Sequence, residues 1–237
     1  MKKILCAVLC YNNENTIRRV IEETNKIKRK YDIIFINDGS TDKTKKILKS
    51  FKTRILNHNY NLGYGGAVNS VIIFAKKKGY KYFAIFPGDN QRYINDLLVM
   101  SRTIRKNKLD LVIGSKYKVL KKIPFHRKIG NVFFSKLAKK FWNSKIQDVL
   151  SGFKIYRLES IYKYQDLFPN NYSFDIILSQ LVSFKKLNVR EIPVKCRYNI
   201  HTTSMKGVFK IHKKNILFIG VMMIVDTMLF YLKYKIK

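Results

Sequence analysis

Acidic residues are what this chain has least of. Fifteen Asp and Glu stand against forty-eight Lys and Arg in 237 residues, leaving a formal charge of +33. A surface so poor in negative charge suits anionic partners: nucleotides, nucleic acid or the anionic face of a membrane. Lys, Ile and Asn recur along the whole length, so charge alone selects none of these. Cysteine is scarce too. Cys6 and Cys10 fall on one face of a strand and Cys196 is remote, which excludes a metal or redox spacing. The three read as reduced, buried thiols of a cytosolic compartment. Met1-Lys2-Lys3 runs straight into an apolar strand with no small-residue cleavage site, so no secretory signal is expected. No nucleic-acid recognition motif occurs, and no nucleic-acid partner is expected. The length suffices to bury a substantial core without disulfides.

What is present is an alternation of apolar runs and amphipathic stretches. Ile4 to Cys10 is a continuous apolar run of the kind buried in a parallel sheet, closed by the turn formers Tyr11-Asn12-Asn13-Glu14. Ile17, Val20, Ile21 and Ile27 then recur at helical spacing. Tyr31 to Ile36 and Thr53 to Leu56 read as further strands, with a helix from Thr44 to Phe51 between them and another from Ala67 to about Lys78 after them. Strand, helix, strand, helix with short Gly- or Asn-rich joints predicts an α/β fold, a Rossmann-like and mostly parallel sheet with helices on both faces. The Gly63-Tyr64-Gly65-Gly66 run follows the third strand and lacks the full dinucleotide spacing, so it does not indicate NAD. Beyond the fourth strand, helices are expected at Ile94 to Lys106, Ile129 to Trp142 and Phe174 to Lys185, with strands at Leu109 to Gly114, within Asp148 to Tyr156, and at Val189 to Val194.

The organising stretch is Phe86-Pro87-Gly88-Asp89-Asn90-Gln91, which sets a carboxylate directly after the fourth strand, Tyr82 to Phe86. Open α/β sheets bind ligands outside the carboxyl ends of their strands. Asp89 and Gln91 there offer two hard oxygen donors to Mg²⁺ or Mn²⁺ holding a nucleotide's diphosphate. Asp38 closes the second strand on the same edge, where a carboxylate accepts hydrogen bonds from a nucleobase or ribose; taken alone, Asp38-Gly39-Ser40 reads rather as a turn and helix cap. The basic stretch from Tyr117 to Arg127, with Lys116, Lys121, Lys122, Arg127 and Lys128, reads as a loop over the site or as a solvated face.

Taken in order, Tyr11-Asn12-Asn13-Glu14, Asn37-Asp38-Gly39-Ser40-Thr41-Asp42, Asn61-Leu62-Gly63 with Ala67 and Asn69, Pro87-Gly88-Asp89-Asn90-Gln91, Gly114-Ser115-Lys116, Asp148 with Ser151-Gly152-Phe153, and Glu191-Ile192-Pro193-Val194 resemble the family 2 glycosyltransferases of GT-A fold, specifically their dolichyl-phosphate mannose synthase-like, polyprenyl-phosphate branch. The resemblance extends to about Gly207, so residues 1–207 are expected to form the transferase domain. It implies inverting transfer from a UDP- or GDP-linked sugar to a polyprenyl phosphate. Tyr11, Asn12, Glu14, Asp38, Gly63, Asp89 and Gln91 would bind the donor, with Asp89 and Gln91 on the metal. Lys116, Arg127 and Asn131 would hold the acceptor phosphate, and Asp89, Arg127 and Asp148 would carry catalysis. Ser204 and Lys206, at a looser spacing from Arg197 than usual, resemble a late loop that closes over the site. Two departures stand out: Pro87 replaces the first Asp of the usual Asp-x-Asp, and Ile177 stands where the family commonly has Glu. A hydroxyl acceptor needs a base to take its proton, whereas a phosphate is already an anion. The alternative is therefore transfer to a glycan or lipid-linked saccharide hydroxyl, with Asp148 or Asp175 as base.

Residues 208–237 change character. Ile216 to Leu232 is seventeen residues long and apolar except for Asp226 and Thr227, with Lys213, Lys214, Lys233, Lys235 and Lys237 around it. At roughly 1.5 Å per residue it is short for a bilayer core of roughly 30 Å, and an intramembrane carboxylate is costly unless paired. A hydrophobic helix that spans a membrane or lies in its plane is expected, at the cytoplasmic face.

Overall fold

Strand β1 (Ile4–Cys10) alternates between two cores. Ile4, Cys6, Val8 and Cys10 enter one apolar cluster, while Leu5 and Ala7 enter the other. A strand buried on both faces is what a continuous apolar run requires, and β1 lies at the centre of its half of the sheet. It pairs in parallel with β2 (Tyr31–Asn37) on one side and β4 (Tyr82–Pro87) on the other. The computed structural model describes residues 3–116, 125–197 and 215–235, with side chains over 3–116, 130–197 and 220–232.

With β3 (Ile55–Asn57), β5 (Leu111–Ser115), β6 (Lys154–Arg157) and β7 (Val189–Pro193), the sheet has seven strands in the order β3-β2-β1-β4-β6-β5-β7. All pairings are parallel except those of β6, which runs antiparallel between β4 and β5. Helices α1 (Ile17–Asn25), α2 (Thr44–Ser50) and α4 (Ile94–Lys106) cover one face. On the other lie α3 (Gly63–Lys77), α5 (Phe125–Trp142), α6 (Leu158–Tyr162), α7 (Phe174–Phe184) and α8 (Asn215–Lys235). The expected mostly parallel α/β sheet is therefore present; β6 is the strand expected within Asp148 to Tyr156, its antiparallel direction and the short α6 being what no periodic signal marks.

One boundary differs for a clear physical reason. Helix α3 starts at Gly63 rather than at Ala67, because the Asp38 carboxylate accepts the N–H groups of Leu62 at 2.9 Å and Gly63 at 3.1 Å. These are amides that a helix start leaves without partners, and an anion there also complements the helix dipole. An acid from another strand thus turns a Gly-rich joint into a first helical turn.

The apolar C-terminal segment forms α8, twenty-one residues long. Among the described residues no helix is long and apolar enough to cross a membrane. One side of α8, carrying Met223, Thr227 and Phe230, is buried against the domain, and the other exposes Val221, Met222, Val225, Met228, Leu229 and Leu232. Asp226, the costly acid in an apolar run, accepts hydrogen bonds from Asn171 and Ser173 of the domain.

Candidate active site

Parallel order brings the turns after β2, β1 and β4 side by side at the carboxyl edge, and hydrogen bonds stitch them together. Asp38 N–H donates to Cys10 O at 2.9 Å, Asn12 N–H to Ser40 Oγ at 3.1 Å, and Asn13 N–H to Thr44 Oγ1 at 2.7 Å. Asn12 takes a positive φ of 51° and accepts Thr41 N–H on Oδ1. Glu14 N–H reaches Asp42 Oδ2, and its own Oε2 accepts Lys43 N–H. Tyr11 N–H donates to Asn13 Oδ1. On the other side Gly88 N–H donates to Leu9 O, and Thr16 Oγ1 donates to Gly88 O at 2.9 Å. Gly88 has no room for a side chain: a Cβ would sit 2.7 Å from Leu9 O and 2.9 Å from Asn13 Oδ1. That close approach sets Asp89 beside the β1 turn.

The Asp89 turn is held from beyond as well. Asp89 Oδ1 accepts Gln91 N–H at 3.0 Å, and Asn90 between them adopts a positive φ of 57°. Left-handed backbone on a non-glycine residue persists only where its surroundings impose it. Here Arg197 does so. Its guanidinium donates to Asn90 O at 3.3 Å, Asn90 Oδ1 at 2.8 Å and Arg92 O at 3.0 Å, and lies 3.8 Å from the centre of the Tyr93 ring. Its backbone N–H donates to Gln91 O, next to a bridge between Arg92 and Cys196.

Asp38 is 5% exposed and fully engaged. Besides the two α3 amides, it accepts Asn61 Nδ2 at 3.1 Å and faces His58 Nδ1 at 2.7 Å, whose Nε2 meets Ser70 Oγ at 2.9 Å. It therefore shapes the rim that Asn61, Leu62 and Gly63 form. Sequence reasoning missed His58, which no motif marks.

Across the sheet, Asp148 is completely buried. Its Oδ1 accepts Asn131 Nδ2 and its Oδ2 accepts Lys116 N–H, each at 2.7 Å. Glu191 of β7 holds the same turn by accepting the N–H groups of Gln147 and Asp148, and burial pushes its carboxyl above the usual range. Asp148 thus lies beneath the β5 end and binds Lys116 and Asn131 into one unit, with Asn131 itself buried. Asp175, at the start of α7, is held by Lys154 of β6 at 2.8 Å and by the Tyr64 hydroxyl at 3.3 Å. Burial raises the Asp175 carboxyl, against the lowering effect of Lys154. Lys154 also donates to Ser151 O. Ile177 is buried in the core. Lys121, Lys122, the side chains of Arg127 and Lys128, Ser204 and Lys206 lie outside the described residues.

Among the described residues no group of three or more His, Cys, Asp and Glu side chains is placed to share a metal. Asp89 and Gln91, the residues expected to hold a divalent cation, sit on one constrained turn; such a pair would leave most of the coordination sphere to a diphosphate and water, as Mg²⁺-type sites usually do.

The sequence pattern of the family described as "Glycosyl transferase family 2" matches residues 6–165. A UDP-N-acetylglucosamine–dolichyl-phosphate N-acetylglucosaminyltransferase of Methanococcus voltae is 26% identical over 219 residues, covering 83% of this chain and 86% of that protein. A dolichyl-phosphate beta-glucosyltransferase of Dictyostelium discoideum is 26% identical over 198 residues, covering 76% of this chain and 60% of that one. Among solved structures, glucosyl-3-phosphoglycerate synthase of Mycobacterium tuberculosis in complex with Mn²⁺, UDP and glucosyl-3-phosphoglycerate superposes with a TM-score of 0.67 at 13% identity, over 97% of this chain and 80% of that one. That likeness is one of fold.

Proposed function

The chain belongs to glycosyl transferase family 2 and is a glycosyltransferase; on that premise we propose that it moves a sugar from a UDP- or GDP-linked donor to a polyprenyl phosphate of dolichyl type, with inversion at the anomeric carbon. The observation that carries the acceptor assignment is the state of the candidate bases. Asp148 is buried, with both oxygens hydrogen-bonded, Asp175 is tied to Lys154, and position 177 is an isoleucine. A sugar hydroxyl would need one of these carboxylates to take its proton, whereas a phosphate oxygen attacks as an anion and needs none. The names of the relatives from Methanococcus voltae and Dictyostelium discoideum agree with a dolichyl-phosphate acceptor.

In this reading the turns of Tyr11 to Glu14 and Asn61 to Gly63, the latter shaped by Asp38, receive the nucleoside. Asp89 and Gln91 hold the divalent ion, Mg²⁺ or Mn²⁺, which when bound neutralises the leaving diphosphate. Arg197 and Gly88 keep that turn in place. Lys116 and Asn131, joined by Asp148, line the acceptor end. Helix α8 lies in the plane of the cytoplasmic membrane surface, its exposed Val221, Val225, Met228, Leu229 and Leu232 stripe toward the acyl chains.

The test is transfer from labelled UDP- and GDP-sugars by the membrane-bound protein with Mn²⁺, with and without added polyprenyl phosphate, and Asp89→Ala as control. Label entering an acid-labile lipid only when the lipid phosphate is present, and lost in Asp89→Ala, is the expected result. Transfer that survives Asp89→Ala, or that ignores the lipid, would remove this assignment.

A further inference from the structure

We propose that Tyr172 is a wall of the donor pocket against which the nucleobase stacks, and that Asp226 of α8 is the positioning residue that holds it there. The proposal rests on the reading of the β1 and β2 turns as the donor pocket. Asp226 is the sole acid between Ile216 and Leu232, and its Oδ2 accepts both Asn171 Nδ2 at 3.0 Å and Ser173 Oγ at 2.6 Å. Ser173, completely buried, closes the turn by giving its N–H to Asn171 Oδ1 at 2.8 Å. One helical residue along, Thr227 O accepts Gln180 Nε2 at 3.0 Å. These polar bonds fix the register of α8 on the domain, which apolar packing of Met223 and Phe230 alone would leave free to slide.

The residue between the two clamped positions is Tyr172. Its turn rests directly on the glycine segment that opens α3. Gly66 N–H donates to Asn170 O at 2.9 Å, and the Asn69 amide reaches Phe168 O and Asn170 Oδ1. Gly65 has no space for a Cβ, which would collide with Pro169 O and stand 2.8 Å from Asn171 O. The opposite side of the same segment is bonded to Asp38 through Leu62 and Gly63. Tyr172 is therefore one glycine turn away from the Asp38 rim, and its residue is 47% exposed, unlike the buried aromatic residues Phe168 and Phe174 on either side. Its phenol end is the buried part, raised by desolvation first and then by the charges of Asp38 and Tyr11. A half-exposed aromatic residue one glycine turn from the Asp38 rim is a surface on which a base can stack. The helix that meets the membrane and the wall that meets the nucleotide share one turn, so docking of α8 and nucleotide affinity are linked.

The experiment uses the full chain in liposomes. UDP and GDP affinities in the presence of Mn²⁺ are measured by calorimetry, and donor and acceptor KM by steady-state kinetics, for Tyr172→Ala, Asp226→Ala, Asp226→Asn and the Tyr172→Ala/Asp226→Ala double variant. Loss of one stacked base weakens nucleotide binding and raises donor KM about 5- to 150-fold in Tyr172→Ala, with acceptor KM unmoved. Asp226→Ala shifts the same two constants in the same direction, Asp226→Asn recovers part of the loss by keeping one acceptor, and the double variant is no worse than Tyr172→Ala alone. Should Asp226→Ala not fold, Ser173→Ala breaks the same clamp from the domain side. Unchanged nucleotide affinity in Tyr172→Ala, or a clamp variant that lowers only the melting temperature, overturns the proposal, as do additive losses in the double variant. Asp38→Ala separates the two levels: if it leaves nucleotide binding intact, the pocket itself has been misplaced, whatever Asp226 does.

Discussion

Replacing Lys154 by methionine keeps the volume of a side chain that is 1% exposed and removes its charge, leaving Asp175, 7% exposed, with the Tyr64 hydroxyl at 3.3 Å. Breaking a buried pair from one side costs about 3–5 kcal/mol, because the surviving charge is stranded. That is a large share of a domain's total stability of about 5–15 kcal/mol. At about 2–4 °C per kcal/mol for a chain of this size, the melting temperature should fall by about 6–20 °C. The loss depends on pH in a definite direction. The Asp175 carboxyl is already raised above its unfolded value by burial, and removing Lys154 takes away its largest lowering influence. A group raised in the folded state binds its proton more tightly there. Its contribution is present below the unfolded pKa and is lost as pH rises through the folded one. The deficit of Lys154→Met relative to wild type should therefore be smallest near the ordinary carboxylate range and widen toward neutral pH. Urea titrations of both proteins at several pH values measure it, and Lys154→Met/Asp175→Leu, which removes both charges, should recover most of it. A single variant as stable as wild type at neutral pH, or a deficit that does not change with pH, would show that Lys154 does not hold a buried charge at Asp175.

Gly88→Ala forces a Cβ toward Leu9 O and Asn13 Oδ1. It should cost about 1–3 kcal/mol by overpacking and lower kcat/KM further than that instability explains, because it displaces Asp89; chemical denaturation alongside kinetics separates the two. Arg197→Gln abandons three guanidinium bonds to the Asn90–Arg92 backbone and side chain. Mn²⁺ titrations of activity should show half-activation moving up by about tenfold, since bonds from a charged donor are worth about 1.5–3 kcal/mol, with Arg197→Lys restoring it only in part, because an ammonium has no planar group to set over the Tyr93 ring.

Elements with strong periodicity were legible in the sequence. The apolar runs of β1, β2 and β4 and the amphipathic α4 announce themselves, and the acids that close β2 and β4 follow from where those runs stop. What could not be read was tertiary. The helical start at Gly63 depends on Asp38 reaching across from β2, and β6 is antiparallel because of its neighbours β4 and β5 rather than its four residues. The engagement of Asp148 by Lys116 and Asn131, of Asp175 by Lys154, and of Asn90 by Arg197 joins positions 17 to 107 residues apart. No local pattern marks such pairs. Asp226 did leave a signal, as an acid inside an apolar run, but its partners Asn171 and Ser173 emerge only from the packing of α8 on α7.

In the proposed reaction the nucleophile is an oxygen already charged. The most direct measurement offers the membrane-bound protein, with Mn²⁺ and the labelled donor it prefers, a polyprenyl phosphate and in parallel the matching polyprenol and a saccharide acceptor. Label should enter only the phosphate-linked lipid, released by mild acid, with the alcohol and the saccharide inert. Transfer to a hydroxyl, abolished by Asp148→Asn or Asp175→Asn, would contradict it.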